Sequence, residues 1–168
     1  MKTVLAVLVL LSVSVASRLL GQDDNESTRK TLADLRGIRV VAGVAMDSDE
    51  ARRDGLSREQ LQTDVELKVR EAGIAVLSLH DSAAPGLAVT VFVLSGRPQR
   101  FYAYAVAVEL HQWVRLTRDP SAAVFTTTWR APTALGTVPS GKLGSLREDV
   151  RDLVDQFINA YLAANPKR

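Results

Sequence analysis

Gly136 to Leu143 reads GTVPSGKL, which differs at its last residue from the G-x-x-x-x-G-K-[ST] loop that wraps the phosphates of a nucleotide. In that loop backbone N–H groups cradle the phosphates, the lysine reaches the outer two, and the next hydroxyl holds magnesium at the mouth of a helix. Here Leu143 stands where the hydroxyl belongs and Pro139 deletes one backbone donor. The next helix signals begin only at Ser145, so the strand-to-helix passage is missing as well. No nucleotide is expected, and the segment reads as a surface loop carrying turn residues.

The remaining candidates for chemistry are few. His80-Asp81-Ser82 has the letters of a hydrolytic triad, but neighbours on an extended chain point in opposite directions and cannot form the relay by themselves. No G-x-S-x-G elbow offers a distant nucleophile, and Gly144-Ser145 reads as a helix cap. Glu109 and His111, two apart on a strand, share a face and could ligate a metal with help. Two histidines and no cysteine make a poor zinc toolkit. Asp47-Ser48-Asp49-Glu50 starts like a calcium loop, then fails at Ala51 and Arg52, where oxygen ligands and a glycine should follow. The residues therefore point away from an enzyme, and no cofactor or metal site is expected.

The amino end carries an address instead. Lys2 precedes an apolar run from Val4 to about Val13, followed by Ser14-Val15-Ala16, small residues that fit a signal peptidase. Cleavage is expected after Ala16, because the run is well short of the ~20 apolar residues that span a bilayer and Arg18 closes it. Removing this leader leaves 152 of the 168 residues and lowers the formal net charge from +2 to +1. That near-neutral balance argues against nucleic acid or an anionic membrane as the main partner, since both need concentrated positive charge. With no cysteine there is neither a lipid attachment point nor a disulfide, so no stable membrane anchor is expected after cleavage. The protein is expected to be exported, to the periplasm or beyond the cell, and to stand by a packed core.

The elements follow from pattern. Gln22 to Lys30, QDDNESTRK, has nothing to bury and reads as disordered. Ile38 to Met46 is a β-branched, buried strand. Ser57 and Gln60 form a capping box, Leu56 and Leu61 the staple beside it, and Leu61, Val65, Val69 and Ala72 one apolar face of a helix that Gly73 stops. Ile74 to Leu77 returns as a strand. Three antiparallel strands follow, Leu87–Leu94, Phe101–Thr117 and Val124–Arg130, separated by the turns Gly96–Gln99 and Arg118–Ser121. The middle one would run ~55 Å at ~3.4 Å per residue, so a bulge or bend is predicted between Glu109 and Gln112. After a loop from Pro132 to Gly144, Ser145 and Glu148 make a second capping box, and Leu146 to Leu162 trace an apolar stripe ended by Asn165-Pro166. The expected organisation is a leader over 1–16, a flexible lead-in over 17–34, one α+β domain over 35–165 and a tail over 166–168. Its element order is β-α-β-β-β-β-α, a single mixed, mostly antiparallel sheet with two helices on one face.

Alternation along the middle strand singles out one surface. Tyr102, Tyr104, Val106, Val108, Leu110, Val114 and Leu116 read as core, with Gln112 the exception. The opposite side carries Ala103, Ala105 and Ala107 between Phe101 and Trp113, with Phe92, Phe125 and Trp129 expected from neighbouring strands. If the helices cover the other side, this alanine strip is an open apolar face, the kind that marks a partner site. Phe101, Ala103, Ala105, Ala107, Trp113 and Trp129 are therefore the expected docking residues, for a protein partner or for self-association. The alternative is a small-molecule pocket between sheet and helices, lined by Tyr102, Tyr104 and Phe157.

The leader, the strand IRVVAGVAM, the helix that passes through glycine into a strand in VREAGIAVL, the meander and the final amphipathic helix resemble small α+β modules of bacterial envelope proteins. The amino-terminal domain of TolB and the periplasmic domain of the curli secretion channel are the modules in question. What the resemblance implies is a non-catalytic assembly or interaction role in the envelope, with no residue-level role to carry over.

Overall fold

The computed structural model describes residues 24–45, 49–95 and 101–166. The leader and the turn expected at Gly96–Gln99 lie outside the described residues. Helix α1 (Glu26–Lys30) is followed by β1 (Arg39–Ala45), α2 (Asp49–Arg53) and α3 (Arg58–Glu71). Strands β2 (Gly86–Ser95), β3 (Phe101–Leu116), β4 (Asp119–Arg130) and β5 (Ala134–Pro139) come next, then a 3-10 turn (Leu143–Ser145) and α4 (Leu146–Ala164). The fold is the expected α+β class, one mixed five-stranded sheet. No helix among the described residues is long and apolar enough to cross a membrane.

The sheet runs β1-β2-β3-β4, with β1 parallel to β2 and the other pairs antiparallel. β5 also pairs with β3, over Phe101–Val106, while β4 takes Glu109–Leu116. Because β2 fills the other edge of β3 over Tyr102–His111, β4 and β5 lie end to end along one edge. Both long helices pack on a single face. Leu61, Val65 and Val69 of α3 and Val150, Leu153, Val154, Phe157 and Ile158 of α4 join Val40, Ala42, Leu87, Val89, Val91, Val106, Val108 and Leu110 in one core. In an antiparallel-rich sheet with helices on one side, the opposite side is left to water or to a partner.

The strands differ from the expected ones at three places: the turn expected at Arg118–Ser121 is the tighter Thr117–Arg118, so β4 starts at Asp119 rather than Val124, and two further segments change role. Ile74 to Leu77 forms only one parallel bridge, Val76 with Ile38, instead of a strand. The chain sits there on the outer edge of β1 and must cross to the inner edge to become β2; turns closed by Asp81 N–H to the Ser78 carbonyl and Ala84 N–H to the Asp81 carbonyl take it away. The fifth strand is β5, from the stretch expected to be loop. Gly136 and Pro139 weaken its pattern, but Gly136 pairs with Tyr104, whose ring covers it: a Cβ there would fall 2.8 Å from the Tyr104 hydroxyl. An aromatic ring laid over a cross-strand glycine restores the packing that the glycine lacks. The Tyr104 hydroxyl also bonds Asp149, and this, with burial and the nearby negative charge, raises its pKa.

Two cap expectations resolve differently. Ser57 accepts from the Gln60 N–H at 3.2 Å, and Leu56 and Leu61 are both buried beside it. The second box, Ser145 with Glu148, does not form. Ser145 already has helical backbone angles as the end of the 3-10 turn, so its hydroxyl donates back to the Lys142 carbonyl at 2.9 Å.

The lead-in expected to be disordered from Gln22 to Lys30 is ordered from Asp24 onward. Its polar residues satisfy one another: Asn25 caps α1 in a capping box with Thr28, and Arg29 forks onto Asp24 at 2.6–2.7 Å. The segment is also pinned to the body. Trp129 donates its indole N–H to Asp24 at 3.0 Å, Leu32 is buried, and Gln112, the polar exception in β3, donates to the Thr31 carbonyl at 3.0 Å. At the far end Asn165 donates to the Leu32 carbonyl and accepts from Asp34 N–H.

Two carboxylates, Asp24 and Glu66 of α3, set an acid limit. The Arg29 hydrogen bond, opposed in part by burial and aided by the Trp129 indole, holds Asp24 below the ordinary carboxylate range. Gln62, with Arg70 also contributing against burial, does the same for Glu66. A depressed folded-state pKa gives stability that is complete above the unfolded-state value and lost as pH falls through the folded one. Urea unfolding at pH 7 and pH 3 is therefore expected to show a smaller loss for Asp24→Asn than for the wild type, by about 1 kcal/mol or less for a carboxylate this open to solvent.

Candidate functional site

The uncovered face of the sheet is built row by row from strand register. Val41, Ala88, Glu109 and Arg130 form one row; Gly43, Thr90 and Ala107 the next; Ala45, Phe92, Ala105 and Leu135 the third; Leu94, Ala103 and Thr137 the fourth. Small residues hold the middle and large ones the ends. At one end Phe92 is 47% exposed, Leu94 59%, Phe101 52% and Leu135 70%. With Ala103, Tyr104 and Ala105, three of these border a depression of about 230 Å³ that is almost wholly apolar.

The other end is aromatic and charged. Trp113, 54% exposed, packs on Phe125 at 5.4 Å between ring centres and donates its indole N–H to the Ser82 carbonyl at 3.1 Å. His111 stacks on Phe125 at 5.9 Å, and the Arg39 guanidinium lies 5.8 Å above the same ring. Arg39 and Phe125 meet beside Gly86, each within about 4 Å of where a Cβ would stand. Glu109 lies 3.6 Å from both His111 and Arg130. These contacts fix the orientation of the exposed rings.

Of the expected docking residues, Phe101, Ala103, Ala105, Ala107 and Trp113 lie on this face, and Trp129 does not. The cause is the bulge predicted in β3, which the structure places between Leu110 and His111. Leu110 pairs with Trp129 and His111 with Thr127, so Thr128 is the extra residue and every side chain before it in the alternation changes face relative to those after it. Phe125 stays outside, as expected, while Trp129 turns into the core, 1% exposed and edge-on to Phe157 at 5.4 Å. Tyr102 and Phe157 are likewise buried, and Tyr104 borders the depression on the open face rather than a cavity beneath the helices. At Tyr102 and Phe157 the space expected for an apolar pocket between sheet and helices is packed core. Sequence reading misses Leu94 and Leu135 as members of the face; alternation with Phe92 signals the first, and nothing signals the second without β5.

The chemistry candidates come apart in the same geometry. Gly136 to Pro139 is strand, and the Gly141 N–H points to the Asp54 carboxylate at 2.8 Å, an acid where an anion cradle needs a free donor. His80 lies in an exposed turn with its own N–H on the Ser78 hydroxyl, while Asp81 accepts from the Ala83 N–H. Glu109 and His111 do meet, but no group of three metal-ligating side chains exists among the described residues. Asp49 and Glu50 belong to the short helix α2; Asp47 and Ser48 lie outside the described residues.

The role of the GTVPSGKLGS segment is instead to seat one loop on another. A Cβ on Gly144 would stand 2.6 Å from the Asp54 carbonyl oxygen, a backbone atom with little room to yield. Gly144→Ala is expected to cost about 1–3 kcal/mol through overpacking, a fall of roughly 2–12 °C in Tm for a chain of this size. Lys142→Ala, at an exposed position, is expected to stay within about 0.5 kcal/mol. Thermal melts of the two variants check the contrast.

No family model and no curated protein matches this chain. Among solved structures it is similar to a PelC dodecamer from Paraburkholderia phytofirmans, a single-substitution variant, with 16% identity over 77% of this chain and 91% of that chain, at a TM-score of 0.40.

Proposed function

We propose that this chain is an exported, non-catalytic interaction or assembly domain of the bacterial cell envelope that docks another polypeptide on its open sheet face. The observation that carries the reading is the segregation of the two faces. Every large apolar residue of α3 and α4 that packs does so on one side, while Phe92, Leu94, Phe101 and Leu135 remain exposed around alanines on the other. Scattered apolar residues on a surface need no explanation, but contiguous ones of this size do.

A second copy of the chain suits the face. Two sheets pack about 10 Å apart with inner side chains interdigitating, and alanines in the middle allow that approach. In a two-fold pairing centred on the apolar end, the ends bearing Arg39 and Arg130 point away from each other, so like charges are not brought together. Export is supported by Lys2, the apolar run and Ser14-Val15-Ala16. A role without catalysis is supported by the exposed turn that holds His80 and Asp81 in local backbone bonds, and by the Asp54 carboxylate that occupies the Gly141 N–H.

The test is to express the full chain, recover it from the exported fraction and measure its mass. The reading expects the chain to begin at Ser17 and to run as a concentration-dependent dimer or to co-purify with an envelope protein. A full-length chain retained in the cytoplasm contradicts the export half. A strict monomer without a partner contradicts the docking half.

A further inference from the structure

An open sheet has edges as well as a face, and the outer edge of β1 is built for trouble. Its sequence, RVVAGVA, is apolar and partly β-branched, contains no proline, and carries one charge at its start. Such a stretch with unpaired backbone groups is a template for another strand. Just before its first residue the edge is covered: Ile38 N–H bonds the Ala75 carbonyl and the Ile38 carbonyl accepts from Leu77 N–H. Beyond that point no strand among the described residues pairs with it.

A side chain does. Gln62, on α3, donates its carboxamide N–H to the Val40 carbonyl at 2.8 Å and accepts from Ala42 N–H at 2.8 Å. A residue of a parallel neighbour opposite Val41 would engage that same acceptor and that same donor. The amide of Gln62 therefore stands in for one peptide unit of a missing strand, continuing the line started by Ala75 and Leu77. It is held there from behind, because its carboxamide nitrogen also bonds the Glu66 carboxylate at 2.6 Å, and Arg70 holds the other oxygen of that carboxylate at 2.7 Å.

We infer that Gln62 is a side-chain guard on the β1 edge, occupying the hydrogen-bonding slot that an extended strand from a second copy of this chain would otherwise take. The remaining edges carry other guards. Pro120 and Pro139 interrupt the donors of β4 and β5, and Thr31, just past α1, reaches the carbonyl of Thr128 in β4 at 3.4 Å. The guard leaves association to the open face, so this inference is independent of which partner that face takes.

The experiment uses the full exported chain with Gln62→Leu, which keeps a good helix former but removes both hydrogen bonds, in the wild-type background and with Ala105→Arg. Light scattering across a concentration series is expected to show species growing beyond the wild-type mass. Growth is expected to persist with Ala105→Arg present, because it proceeds through the edge. Amide exchange at Ala42 is expected to be at least about tenfold faster in the dilute variant and to slow again as it associates. Should Gln62→Leu fail to fold, Gln62→Asn, whose shorter carboxamide cannot reach both groups, takes its place with the same expectations. Wild-type mass at every concentration with fast exchange at Ala42 would overturn the inference, as would growth that disappears with Ala105→Arg.

Discussion

Replacing Trp129 by alanine is expected to cost about 3–5 kcal/mol, while replacing Trp113 costs about 1 kcal/mol or less. The two tryptophans of the chain differ in what surrounds them. Trp129 is buried edge-on to Phe157, and its indole N–H is the hydrogen bond that fastens Asp24 and the lead-in to the sheet. Truncation leaves a cavity between β4 and α4 and strips Asp24 of a partner, so the loss is a large share of the roughly 5–15 kcal/mol that holds a domain together. Trp113 lies on the open face, and its removal exposes Phe125 without emptying the core. Urea unfolding of the two variants separates these outcomes. Equal losses would mean that the bulge at Thr128 does not turn Trp129 inward.

Ala105→Arg is expected to leave stability nearly unchanged and to weaken docking by about 2–5 kcal/mol, the cost of a charge placed in a contact without a partner. That corresponds to roughly 30-fold or more in Kd. Ala105 sits at the centre of the third row, beside Phe92 and opposite Leu135, and an arginine there rises from the valley of small residues where a partner must approach. In the free chain the guanidinium reaches solvent along the open face. The same change would be severe at Val106, one residue away, because that side chain is fully buried against the helices. Sedimentation or light scattering of the wild type and Ala105→Arg over a concentration series measures the effect.

The parts of this fold that burial patterns dictate are legible in the sequence. The helix spanning Arg58–Glu71, the amphipathic α4 with its end at Asn165, the three long strands and the helices' common face all follow from periodicity, and the bulge follows from the improbable length of β3. What is not legible depends on contacts distant in sequence. Thr128 shifts the alternation by one residue, and only the partner strand reveals where the shift lies, which is why alternation alone puts Trp129 on the wrong face. β5 hides behind Gly136 and Pro139 because the Tyr104 ring that compensates the glycine is contributed by β3. The lead-in looks disordered from composition alone, since Leu32, the buried large apolar anchor among its described residues, lies past the polar run and another tether comes from Trp129. Ser145 and Glu148 have the letters of a capping box, but the 3-10 turn before them has already given Ser145 helical backbone angles.

Side-chain labelling of the exported chain, by hydroxyl radicals at low and high protein concentration or with and without the captured partner, tests the docking face most directly. The account predicts that Phe92, Leu94, Phe101 and Leu135 lose reactivity together on association, while Leu67, exposed on helix α3 on the other side of the sheet, labels as before. Unchanged labelling of the four, or protection confined to the helix side, would contradict it.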